Sequence, residues 1–275
     1  IGKSVTTIGS NAFYMTKLTN VIIPDSVTSI GTSAFASCSG LTEITCHAVD
    51  APSIQSNTFY GVSYFGKLNY PEGSDYSSWM STDSYYLGYY YWNIEQPVVT
   101  AKYNVTSTTE NTQLCYSTGN FTDIIIDGEP MVSMSTGYLF PTIGEHTVEF
   151  KLNSLSIGSW AFYKCSDLTE VIIGSGVTEI GNEAFYGCSG MTEVTIGSGV
   201  TEIGNEAFRY CKGLTGITIP DSVTSIGKNA FSNCSGLTEV TIGSGVTEIG
   251  NYVFYGCKGL TGITMPDSVK SIGTQ

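Results

Sequence analysis

SWAFYKCSDLTEVIIGSGVTEIG (residues 159–181), NEAFYGCSGMTEVTIGSGVTEIG (182–204), NEAFRYCKGLTGITIPDSVTSIG (205–227), KNAFSNCSGLTEVTIGSGVTEIG (228–250) and NYVFYGCKGLTGITMPDSVKSIG (251–273) follow one another without a gap. A period held this strictly is the mark of a repeat architecture, in which each unit meets only its neighbours. The apolar positions explain why the unit stacks. Phe185, Cys188, Met191, Val194, Ile196, Val200 and Ile203 recur one period later as Phe208, Cys211, Leu214, Ile217, Ile219, Val223 and Ile226. One unit cannot bury these side chains alone. Stacked at about 4.8 Å, each sets its Phe on the next Phe and its Ile on the next Ile. Leu237 to Ile242 alternates as a strand does, and Gly or Pro-Asp after it supplies a turn. Gly250 ends a second short extended piece, and the Asn-x-x-Phe stretch that follows reads as a helical turn or loop.

Working outward, the unit occurs twice more near the start, as SNAFYMTKLTNVIIPDSVTSIG from Ser10 and TSAFASCSGLTEI from Thr32. Between the two groups the period is lost. Alternating runs at 98–105, 121–126 and 147–152 are separated by turn residues, Asp127-Gly128 the strongest of them. The expectation is a repeat solenoid, mostly β with short helical turns, in which two arrays flank a small all-β, sandwich-like (Ig-like) module. The boundaries read as 1–96 for the first array with its modified end-repeat, 97–153 for the module and 154–275 for the second array. A long irregular cap is the other reading of the middle segment. Both ends of the chain fall inside the repeat pattern, which suggests a piece of a longer protein.

The pattern A-F-x-x-C-x-x-L-T-x-V-x-I-P-x-S-V-T-x-I-G, seen in Ala230-Phe231, Cys234, Leu237-Thr238, Val240, Ile242, Val246-Thr247 and Ile249-Gly250, resembles the BspA-like (TpLRR-type) leucine-rich repeat family. Pro52 to Ile94 is similar to that family's modified end-repeat, through Asn57-Thr58-Phe59, Leu68 to Ser74, Trp79 and Trp92-Asn93-Ile94. The resemblance implies a bacterial or protozoan protein, secreted or held at the cell surface and linked to adhesion and host-protein binding.

Composition narrows the function. With 11 Lys and Arg against 24 Asp and Glu, the net charge is −13, which repels nucleic acid. No apolar run reaches the roughly 18 residues that span a bilayer, so any signal or anchor lies outside this segment. His47 and His146, the 2 histidines, stand beside no nucleophile turn and in no metal-binding spacing. Neither a catalytic site, a cofactor site nor a metal site is expected, and the chain reads as a binding protein rather than an enzyme.

Four features bear on binding or structure. Cys165, Cys188, Cys211, Cys234 and Cys257 recur at the period, with Cys38 at the same place in the first array. Stacked rungs bring them within disulfide range, but a shared inward position favours a ladder of buried free thiols. Cys46 and Cys115 fall outside that pattern. Next, the strand positions between core residues form a solvent-facing column: Thr169, Glu170, Thr192, Glu193, Thr195, Thr215, Thr218, Thr238, Glu239 and Thr241, continued by Thr261 and Thr264. It is either a contact surface or simply what suits an exposed strand. A second acidic column, Glu179, Glu202 and Glu248 with Glu183 and Glu206 nearby, reads as a solvated face. Finally, Tyr85, Tyr86, Tyr89, Tyr90, Tyr91 and Trp92 form an aromatic run whose alternation suggests half-buried strand positions. It is either a cap or a patch that stacks on sugar or protein. A protein ligand held on the strand column is the leading expectation; a structural spacer and a carbohydrate-binding component are the alternatives.

Overall fold

The computed structural model describes residues 1–274. They form two compact units, one ending at Glu95 and the other beginning at Gln96. Each is a stack of β rungs with a buried apolar interior.

In the second unit a rung begins with a strand such as Glu239–Ile242, turns at Gly243 to Val246, and continues as a two-residue strand, Glu248–Ile249. The short strands at one edge, Ser156–Ile157, Glu179–Ile180, Glu202–Ile203, Ser225–Ile226, Glu248–Ile249 and Ser271–Ile272, make an unbroken parallel ladder. Ile180 sits opposite Ile203, and Ile203 opposite Ile226, so that like side chains stack. The rings follow suit: Phe162, Phe185, Phe208, Phe231 and Phe254 lie nearly parallel, with centroids 5.0, 5.2, 5.2 and 5.9 Å apart.

The stretch expected to be a helical turn or loop is a run of tight turns whose amides alternate in target. Ala184, Tyr186 and Cys188 donate locally, to Gly181, Glu183 and Phe185, while Glu183, Phe185 and Gly187 donate to Asn205, Ala207 and Arg209 of the next rung. Two residues per rung at positive φ permit this, Glu183 at 54° and Gly187 at 73°, repeated as Glu206 and Tyr210. Such a backbone leaves the helical path at each reversal and turns alternate amides toward the neighbouring rung. An α-helix would keep every bond to itself.

The middle segment joins this unit through one sheet. Its order is Glu129–Pro130, Phe121–Ile126, Gly144–Leu152, Val98–Val105, and then the repeat strands Leu168–Ile173 and Glu193–Thr195. The three alternating runs read from the sequence are strands, but they pair side by side instead of facing a second sheet. The physical reason is the free edge of Val98–Val105, which takes the first repeat strand as an antiparallel partner. The remaining β structure there is a two-stranded ribbon, Thr112–Gln113 with Gly137–Tyr138. Val99, Ala101, Tyr103, Val148, Phe150 and Leu152 are buried in the same core as the repeats. Phe150 meets Phe162 edge-on at 4.9 Å and 87°. Asp127 and Gly128, at φ 50° and 90°, make the two-residue turn expected of them.

The first unit repeats the plan with parallel strands Asn20–Ile23, Glu43–Cys46 and Lys67–Asn69. Its ring column runs Phe13, Phe35 and Phe59, at 5.2 and 5.9 Å, and stops on Trp79, tilted 48°. Indole and phenol donors tie the closing segment to rung carbonyls: Trp79 Nε1 to Pro52 O, Tyr76 Oη to Ala48 O and Trp92 Nε1 to Ser63 O, each 2.8 Å. Residues 85–92 are not a strand, which corrects the reading of their alternation. Leu87–Tyr90 is a 3-10 turn, closed by Tyr91 in the left-handed region. Gly88 makes it possible, since a Cβ there would fall on the Met80 carbonyl.

Candidate functional site

The strand column of the second unit divides into residues that the fold uses and residues left free. Thr169 Oγ1 donates to Lys102 O at 3.1 Å, and Glu170 holds the Lys102 ammonium at 2.7 Å. The Glu170 hydrogen bond, with the nearby Glu145 carboxylate, keeps Lys102 above the ordinary ammonium range. Both column residues of the first rung are thus engaged by the strand beside them. Thr192, Thr215, Thr238 and Thr261 are exposed, yet each hydroxyl donates to the equivalent carbonyl one rung back, at 3.1, 3.4, 2.9 and 3.3 Å. Thr195, Thr218 and Thr241 are exposed and have no hydroxyl partner among the described residues. Glu193 and Glu239 are exposed carboxylates with no ion-pair partner among the described residues. A hollow of about 560 Å³ lies among Thr192, Glu193, Thr195, Thr218, Glu239 and Thr241. Gly216 occupies the position that carries Glu193 and Glu239 in the flanking rungs.

The aromatic run splits in the same way. Trp92 and Tyr90 are buried; Tyr90 Oη accepts from Gly61 N–H at 2.7 Å and donates to Ser84 O at 3.1 Å. Tyr86 and Tyr91 are half-buried, while Tyr85 and Tyr89 are exposed. A second hollow of about 380 Å³ brings Tyr85 together with Tyr14, Tyr60 and Asn57. Sequence reasoning passed over Tyr14 and Tyr60. Their signal is the position just after the core Phe, which the turns project outward.

The thiols of Cys188, Cys211, Cys234 and Cys257 donate to the carbonyls of Phe162, Phe185, Phe208 and Phe231, at 3.0 to 3.2 Å; Cys38 does the same to Phe13. A donor for an inward carbonyl explains why the position holds Cys rather than another small apolar residue. All the cysteines are free. Burial raises the thiols of Cys188 and Cys211, as it raises Cys165 above the first ladder bond. Cys257 differs: it is half-buried, and the Cys234 thiol beside it holds it below the ordinary thiol range. Cys115 is buried in the same core, which pushes it up to about 12, and Cys46 is an inward strand residue of the first unit.

His47 is exposed, and His146 is a buried joint. His146 Nδ1 lies 2.6 Å from Asp127 Oδ2, and its Nε2 lies 3.0 Å from Thr142 O. The pair fastens the Asp127-Gly128 turn to the strand Gly144–Leu152. Among the described residues no group of three or more His, Cys, Asp or Glu could hold a metal ion. Glu179, Glu202 and Glu248 are exposed, and Glu206 is paired with Arg209 at 2.8 Å. No helix of the described residues is long and apolar enough to cross a membrane.

No curated protein matches the chain. Among solved structures it is similar to a leucine-rich repeat protein of T. pallidum, at 31% identity over 43% of this chain and 66% of that one, with a TM-score of 0.39. It is also similar to a leucine-rich cell surface protein of Faecalibacterium prausnitzii, at 22% identity, 96% and 52% coverage and a TM-score of 0.41. A leucine-rich repeat protein of Bacteroides ovatus gives 20% identity, 99% and 67% coverage and a TM-score of 0.42. The chain therefore spans about two thirds of the first of these proteins and about half of the second. The model of the BspA-type leucine-rich repeat region matches residues 1–86 and 146–275, in 6 copies. With the rung geometry and the repeating core just described, that match makes the chain a member of the BspA-type leucine-rich repeat family.

Proposed function

We propose that this chain is the non-enzymatic binding part of a secreted or cell-surface protein, and that it holds another protein along the strand face of its second array. The observation that carries the reading is the free part of the column: Glu193 and Glu239 with Thr195, Thr218 and Thr241, repeated at rung spacing over a shallow hollow. Periodic, near-identical groups suit a ligand that meets several rungs at once. We keep the division into a first array, a middle segment at 97–153 and a second array, with the middle segment acting as the platform on which the second array is built. The test is capture of extracellular matrix proteins and glycans by the intact chain, followed by substitution. A single Glu193→Lys change is expected to weaken binding about threefold to tenfold, and Glu193→Lys with Glu239→Lys far more, with unchanged circular dichroism. A ligand indifferent to the double change is not on this face.

The hollow formed by Tyr14, Tyr60, Tyr85 and Asn57 supports a second reading, a carbohydrate site on the first unit, since exposed rings beside an amide suit the faces and hydroxyls of a sugar. Under it, Tyr60→Ala or Tyr85→Ala abolishes glycan capture and the Glu193/Glu239 change leaves it intact.

A further inference from the structure

The tight turns that follow the core Phe carry another hollow in the second unit, of about 400 Å³. Its origin is a missing side chain. Lys164, Gly187, Tyr210 and Asn233 hold one repeat position in four successive rungs, and all take the left-handed backbone, at φ 57°, 73°, 63° and 60°. Where Lys164 and Tyr210 project side chains, Gly187 projects none, and a notch opens between them. A Cβ on Gly187 would lie 3.1 Å from Lys164 Cγ, so the Lys164 stem forms one wall and any larger residue at 187 would claim the space.

The groups around the notch share one polarity, in a chain whose net charge is −13. Lys164 and Lys212 are exposed and have no ion-pair partner among the described residues, and no acidic residue lines the hollow. Arg209 next to them differs, since Glu206 neutralises it at 2.8 Å. The backbones of Lys164 and Lys212 lie two rungs apart, on the order of 10 Å along the stack. Ser166 and Ser189 hold the position of Lys212 in the two earlier rungs, and both are exposed. Tyr186 and Tyr210, half-buried, meet edge to face at 5.4 Å and 71°. Tyr163 stacks on Tyr186 at 5.0 Å and has Lys164 Nζ 5.1 Å from its centroid, which steadies that ammonium at the rim. Ring edges carry partial positive charge, so ammonium, hydroxyl and ring edge all favour an anion.

The backbone decides what carries that anion. The amides of Lys164, Tyr186, Gly187, Ser189, Tyr210 and Lys212 all donate within the turns or to the next rung. An extended peptide would find no ladder to join here, and recognition is left to side chains. A sugar acid offers their complements in one residue: an oxyanion for the ammonium groups, hydroxyls for Ser and Tyr, and C–H groups for the rings. We propose that the notch at Gly187 binds an acidic glycan, with the carboxylate or sulfate of one sugar residue between Lys164 and Lys212 and its hydroxyls toward Ser166, Ser189 and Tyr186. The notch uses none of the free strand-face groups, so the two sites stand or fall separately.

The test titrates the intact chain at low salt with a galacturonate tetrasaccharide, its carboxyl-reduced neutral form, a sulfated neutral tetrasaccharide and tetraglutamate. At least one acidic saccharide is expected to bind at about 1 mM or tighter, and which one binds identifies the oxyanion. The neutral saccharide and tetraglutamate are expected to bind roughly tenfold more weakly or not at all. Three substitutions borrow residues that other rungs hold at the same place: Lys164→Asn and Gly187→Asn, as at Asn233, and Lys212→Ser, as at Ser189 and Ser235. Circular dichroism should therefore be unchanged in all three. Each Lys change is expected to weaken binding about threefold to tenfold. Gly187→Asn is expected to abolish it by filling the notch while both ammonium groups remain, which separates a shaped site from general charge attraction. Failure of both acidic saccharides to bind at about 10 mM overturns the proposal. So does tetraglutamate binding as tightly as the better saccharide, or wild-type affinity in Gly187→Asn. Glu193→Gln with Glu239→Gln is expected to leave the affinity within about twofold, and a larger loss would put the saccharide on the strand face instead.

Discussion

The two units solve one problem in two ways. A stack of rungs has an open end wherever it stops, and an open end exposes rings and strand edges together. The first unit finishes on side chains: Trp79 takes the next place in the ring column at a 48° tilt, and indole and phenol groups donate to the rung carbonyls nearby. The second unit starts on backbone: Val98–Val105 pairs with the first repeat strand, and Phe150 turns its edge to Phe162. In both, parallel ring stacking ends with one ring turned out of register. The difference lies in what is fixed. A plug of aromatic residues satisfies a surface, while a paired strand also sets the register of the rung that follows.

The largest effect expected from breaking this comparison is Phe208→Ala, which removes a ring stacked at 5.2 Å on both sides. It should destabilise the second unit by about 3–5 kcal/mol. Trp79 and Trp92 are buried in the first unit, and an unfolding transition followed by their fluorescence should keep its midpoint. Movement of that midpoint by the same amount would mean that the two units unfold as one.

Gly66→Ala tests the plug. A Cβ there would lie 2.3 Å from Trp92 Cε2, so the indole must shift and its bond to Ser63 O be strained or lost. About 1–3 kcal/mol of first-unit stability should go, with a red-shifted tryptophan emission. An unchanged spectrum would show that the plug is looser than its geometry.

The smallest effect concerns the antiparallel platform and depends on pH. Burial works to lower the His146 pKa, but hydrogen bonds to Asp127 and Thr142 outweigh it, so His146 is raised. Burial likewise works to raise Asp127, and the bonds from His146 and Thr147 outweigh it, so Asp127 is lowered. A raised His contributes stability below its unfolded pKa of about 6.5 and loses it as pH rises through the folded value. A lowered Asp contributes above about 3.9 and loses it as pH falls. The pair should therefore stabilise the second unit most between about pH 4 and 6.5. Asp127→Asn should flatten that maximum in denaturant midpoints taken across the range, and a maximum of unchanged height would exclude the pair as its source.

Much of this was legible in the residues. Phe185, Val194 and Ile203 recur at a fixed period because identical rungs bury identical side chains, so the inward set could be read from one repeat. The Asp127-Gly128 turn was legible for a local reason, since those two residues suit the left-handed backbone that the turn requires. What escaped was set by partners distant in sequence. Residues 85–92 alternate as a strand does, but Gly88 against Met80 decides their path. Thr169 and Glu170 look identical to Thr192 and Glu193 in sequence, and only the neighbouring Lys102 separates engaged residues from free ones.

The near-identity of the rungs has a consequence during folding. Glu170, Glu193 and Glu239 sit in closely similar surroundings of sequence, so Lys102 and its strand could first pair with a later copy, one or more whole periods out of place. Such a slip preserves every ring contact within the stack and is penalised only at the ends, where a rung would be left over. Refolding from denaturant should then divide into a fast population and a slow one that must release a strand and pair it again. On this view the platform strand does the counting, and because Glu193 would serve Lys102 as well as Glu170 does, the ion pair holds whichever register is reached and only the left-over rung corrects it.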